Sequence, residues 1–160
     1  MARAIGTVAC EDVGMCSTVL WTINHAAYTP GFRDWTRGRL GVEPRVSPLR
    51  IDAPELVGRT AVAFTLPLNM CDCGSAVGYG EGKLRSDVPG PEDYAAWLRE
   101  LPGHARFTSR VCVVRTWNPE GTVRPGNTER IGVSELDAAG ILMLPEETLL
   151  AVDFPVMTGW

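Results

Sequence analysis

Glycine and proline punctuate this chain too often for long regular elements to form, with 17 Gly and 12 Pro among 160 residues. Such punctuation favours short strands and turns, and a helical bundle is not expected. Hydrophobic residues make up 45% and charged residues 21%, enough for one ordinary globular core without covalent staples. The reading is a single α+β domain over residues 1–160, β-rich, with about six strands and one main helix on the sheet.

Two runs rich in β-branched residues, Ala4 to Ala9 and Ser17 to Ile23, flank a Gly-containing turn and predict a hairpin. A short helix fits between Phe32 and Arg37, bounded by Pro30-Gly31 and Gly38, and Gly41 to Pro54 reads as an extended crossing. Arg59 to Leu68 is the best strand of the first half. Pro91-Glu92-Asp93 opens the main helix, Pro91 to Leu101. Proline suits a first turn, the acids complement the helix dipole, and Tyr94, Trp97, Leu98 and Leu101 share a face. Phe107 to Trp117 reads as a strand apolar on both faces, and Asn118 to Gly121 and Arg124 to Asn127 as turns. Arg130 to Val133 and Thr148 to Phe154 are the last strands, and Ser134 is the expected cap of a helical turn between them.

Chemistry concentrates in the cysteines. Cys71 and Cys73 alternate at the end of a predicted strand, so an extended backbone places both on one face. With Cys10 and Cys16 from the hairpin, they form a candidate tetrahedral zinc site of four thiolates. Met15 and Met70 would also suit Cu(I). The spacing differs from usual zinc knuckles: one residue separates the first pair and five the second. An odd cysteine count, with Cys112 the fifth, and no secretory signal at the N-terminus predict reduced thiols and a cytoplasmic protein.

A second reading is a cysteine-dependent enzyme acting on a small molecule. Cys71 or Cys73 would be the nucleophile, His25 or His104 the base, and Asn69 or Asp72 its orienting partner. Gly78, Gly80, Gly82 and Lys83 do not make a phosphate loop, since three residues lie between Gly78 and Gly82 and Leu84 follows the lysine. A flexible turn is expected there.

The third reading is a non-catalytic interaction module. The chain carries a formal charge of -4, yet residues 1–50 hold six Arg against four acids. Arg33, Arg37 and Arg39 with Phe32 and Trp35 form the candidate contact surface for an acidic protein or a small anionic ligand. The overall acidity argues against nucleic acid, and no apolar stretch reaches membrane-spanning length. Basic charge resides almost wholly in Arg, with Lys83 the sole lysine, consistent with a high-GC bacterial or phage coding sequence.

Overall fold

In a computed structural model, which describes residues 16–68, 71–80, 84–117 and 119–155, the sheet is organised around β1, Ser17–Asn24. Six of its eight residues are buried, because side chains on both faces meet protein. β1 lies between β4 (Ala61–Thr65) and β5 (Arg110–Trp117), antiparallel to both, with Trp21 opposite Phe64 on one side and Val113 on the other. With β2 (Arg45–Val46), β7 (Asn127–Gly132) and β8 (Thr148–Asp153), the sheet runs β2-β4-β1-β5-β8-β7. Only the last pair, β7 and β8, is parallel. β3 (Arg50–Ile51) and β6 (Thr122–Val123) form a separate parallel ribbon.

Alternation divides the central strands between two cores. Val19, Trp21, Ile23, Val111, Val113, Leu150 and Val152 face the helices. Leu20, Cys112, Val114, Leu149 and Ala151 face the opposite way, beneath Leu49, Ile51, Leu56 and Val57. This double coverage explains why the Phe107 to Trp117 run is apolar at consecutive positions. The α+β class is as expected.

Among the described residues three helices cover the first face: α1 (Pro30–Leu40), α2 (Pro91–Glu100) and the short α3 (Ala138–Leu142). α2 lies where the Pro91 signal put it, and its Trp97 and Tyr94 rings pack on Trp21 at centroid distances of 5.1 and 5.9 Å. α1 is longer than the expected Phe32 to Arg37. Pro30 begins the helix, Thr29 caps it through the amide of Phe32, Gly38 lies within it, and Gly41 ends it at φ 75°. Proline at a first turn and glycine just past a last turn are boundary residues, and the boundaries here lie outside the expected ones. The turn assigned to Ser134 is two pieces, a 3-10 turn at Val133–Glu135 and α3, which is capped by Asp137. The first strand of the expected hairpin lies outside the described residues. Among the described residues no helix is long and apolar enough to cross a membrane.

Candidate functional site

β4 pairs with β1 from Trp21 to Asn24, and among the described residues the Ser17 end of β1 has no strand on that side. Unpaired backbone groups at a buried position need other partners. Asp72 supplies them: its amide donates to the Ser17 carbonyl at 2.9 Å, and its carboxylate Oδ2 accepts from the Val19 amide at 2.9 Å. The cysteine loop is thereby sewn onto the central strand.

Arg115 completes the attachment from β5. It projects from the helix-facing side, where its neighbours Val111 and Val113 are core, and is only 6% exposed. Its Nε donates to Ser17 Oγ at 2.7 Å, Nη1 to the carbonyls of Ser75 (3.3 Å) and Val77 (3.0 Å), and Nη2 to the Cys73 carbonyl at 3.1 Å. A planar guanidinium suits this role because its fixed fork of donors reaches several acceptors at once. Burial pushes the Asp72 carboxyl up to about 6, against the Val19 amide and the Arg115 charge, which both favour the ionised form. Tyr94 is pushed up to about 12 by burial, opposed by its hydrogen bond with Ser75.

Residues 71–80 pack against the core and α3, and the flexible turn expected from Gly78 to Lys83 is described only as far as Gly80. Asp72, Cys73, Ser75, Ala76 and Val77 are buried, and the amides of Gly78 and Gly80 donate to the carbonyls of Ile141 and Leu142 on α3. Gly78 is required here. Its φ is 68°, and a Cβ would lie 3.0 Å from the Leu144 oxygen and 3.1 Å from Arg115 Cδ. Gly82 and Lys83 lie outside the described residues, as do Asn69 and Met70.

Three of the four proposed metal ligands meet at this end of β1. Cys16 and Cys71 are thiols whose sulfurs hydrogen-bond to each other, and Cys73 Sγ accepts from the Ser17 amide at 3.4 Å. Desolvation raises the Cys16 thiol above its ordinary value, and the adjacent Cys71 sulfur adds to the shift. Cys73 is disulfide-bonded, which corrects the expectation that all five cysteines are reduced. A disulfide sulfur is not a thiolate ligand. Cys10 and Met15 lie outside the described residues, and among those described no group of three or more His, Cys, Asp or Glu is arranged to hold a metal ion. Cys112 is apart from the cluster, buried under Leu56, its thiol pushed up to about 11 by burial.

The expected cysteine and histidine pairing is not assembled. His25 follows the Asn24 end of β1, and Asn24 Nδ2 donates to the carbonyl of Phe107, three residues from His104. The cysteines gather at Ser17. Seven residue steps of strand, about 23 Å at ~3.3 Å each, separate the two ends. Both histidines are exposed, and His104 stacks on Trp35 with ring centroids 4.3 Å apart. Asp72, read as an orienting partner for the base, instead holds the Val19 amide.

The Arg and aromatic surface is also revised. Phe32 is fully buried, 5.8 Å from the Phe64 ring, so it offers no contact area. Trp35 is half-buried between Trp97 and His104. Arg37 pairs with Asp34 at 3.4 Å and Arg39 with Glu100 at 2.8 Å, while Arg33 is half-buried. The 3.6-residue helical repeat turns Phe32 inward, keeps Arg33 and Arg37 on one side of α1 and puts Arg39 on another.

Arg115, Ser17 and Ser75 were not marked by sequence reasoning. The available signal was one charged residue inside a strand otherwise apolar on both faces. Compared with protein-family models, curated proteins and solved structures, the chain matches none.

Proposed function

We propose that the Ser17 end of β1 is a thiolate metal site of the zinc class, formed by Cys16, Cys71 and Cys73 in their reduced state, with Cys10 as fourth ligand. The observation that supports this reading is the adjacency of the Cys16 and Cys71 sulfurs, residues 55 positions apart in sequence, beside a third sulfur anchored on the Ser17 amide. Adjacent sulfurs are stabilised as thiolates by a divalent cation, which reverses the local charge balance. Arg115 and Asp72 act behind the ligands, fixing the loop backbone so that little ordering remains to be done on binding.

Oxidation and metal binding exclude one another at Cys73, because its sulfur is either in a disulfide or a ligand. A reducing cytoplasmic setting belongs to this reading, since thiols persist there. A cysteine-dependent enzyme with Cys71 or Cys73 as nucleophile has less support, because His25 and His104 are at the far end of β1 from both cysteines.

The test is elemental analysis of protein purified under reducing conditions, followed by zinc titration with and without reductant. One equivalent bound under reduction, lost in Cys71→Ser and after oxidation, is expected. No stoichiometric metal in the reduced protein, or binding unaffected by Cys71→Ser, overturns the proposal.

A further inference from the structure

The second face of the sheet holds a cleft of about 590 Å³, within the range of small-molecule sites, between residues 46–54 and 57–63. Buried Thr22 of β1 lies at its base, and Leu49, Ile51 and Val57 contribute apolar walls continuous with the second core. Arg50 and Arg59 also line it. Both are exposed, and among the described residues neither forms an ion pair. The one carboxylate lining the cleft, Asp52, is 3.5 Å from Arg124, which offsets its charge. The cleft thus combines apolar walls with two uncompensated guanidinium groups in a chain whose net charge is negative.

We propose that this cleft binds a small amphiphilic anion, a carboxylate carried on a short aliphatic chain, with Arg50 and Arg59 receiving the head group and Leu49, Ile51 and Val57 the chain. Guanidinium forks match carboxylate geometry, and an apolar wall gives the aliphatic part a place out of water. Neither element alone selects such a ligand. A free inorganic anion would leave the apolar walls unused, and an uncharged alcohol would leave the arginines unused. The site is separate from Cys16, Cys71 and Cys73 and on the opposite face of the sheet from Arg115.

The experiment is a titration of the full chain with octanoate, octanol, acetate and inorganic phosphate, followed by two-dimensional NMR. Octanoate is expected to shift the amide signals of Leu49, Ile51 and Val57 and to bind at least tenfold more tightly than the other three. Arg50→Gln and Arg59→Gln should each weaken octanoate at least fivefold at an unchanged thermal midpoint. A lowered midpoint is met by repeating the titration with Arg50→Lys and Arg59→Lys, which should retain part of the binding. Octanol, acetate or phosphate binding as tightly as octanoate, octanoate affinity indifferent to the Arg variants, or no shift at those three residues overturns the proposal.

Discussion

Arg115 Nη2 donates to the Cys73 carbonyl at 3.1 Å, so a charge on the fifth strand fixes the backbone of the cysteine loop. Replacing Arg115 by Met keeps the aliphatic volume but removes four hydrogen bonds, leaving Ser17 Oγ and the carbonyls of Cys73, Ser75 and Val77 without this donor. A loss of about 2 to 4 kcal/mol in urea unfolding is expected, since hydrogen bonds to a charged group contribute about 1.5–3 kcal/mol and buried acceptors are left unsatisfied. Arg115→Lys keeps the charge but cannot reproduce the fork, so its loss should be smaller and still measurable. A change below about 1 kcal/mol for the Met variant would contradict the role given to Arg115.

How far the fold is legible in sequence depends on the reach of each signal. The main helix was legible because Pro91, its acidic first turn and the Tyr94, Trp97, Leu98 face are local. β5 was legible because burial on both faces leaves no polar alternation to hide it. α1 exceeds its expected bounds because proline and glycine signal a break only in some positions: Pro30 starts the helix, and Gly38 sits in it with open space around it. The partners of Arg115 were not legible, since Ser17 is 98 positions away and Ser75 is 40. The cysteines were named from sequence, but no spacing rule says which end of β1 they share or that both histidines lie at the other.

Two glycines separate conformational need from simple tolerance. Gly38 is exposed inside α1 with nothing within 4 Å of a Cβ, so Gly38→Ala should stabilise the protein by about 0.5–1 kcal/mol through helix propensity. Gly78→Ala should destabilise it by about 1–3 kcal/mol, since positive φ and contact with backbone act together. Paired thermal melts check both, and equal effects of the same sign would refute the distinction.

Trp97 Nε1 donates to Thr36 Oγ1 at 3.0 Å, and both residues are fully buried, so this bond ties α2 to α1 inside the core. Thr36→Val preserves shape but strands the indole N–H, for an expected loss of about 1–3 kcal/mol. Trp97→Phe removes the donor together with much packing area. In the double variant the Thr36→Val loss should shrink by about 1 kcal/mol, because the group it left unsatisfied is gone. Additive losses in a double-mutant cycle would show that the bond contributes nothing.

Asp72 should leave a signature in the pH dependence of stability. Its carboxyl is raised by burial from 3.8 to about 6 in the folded protein, so between these values the folded state holds a proton that the unfolded state has released. Stability then falls as pH rises through this window, and the contribution is fully present only below the unfolded value. The difference corresponds to about 3 kcal/mol lost between pH ~4 and ~6, the reverse of a salt-bridged carboxylate. Asp72→Asn keeps an oxygen for the Val19 amide but cannot titrate, so subtracting its unfolding free energies from those of the natural chain isolates this slope. The difference should decline steadily with pH across the window and level off above it. A flat difference, or one that rises, would mean that Asp72 is ionised throughout and that Arg115 overcomes the cost of its burial.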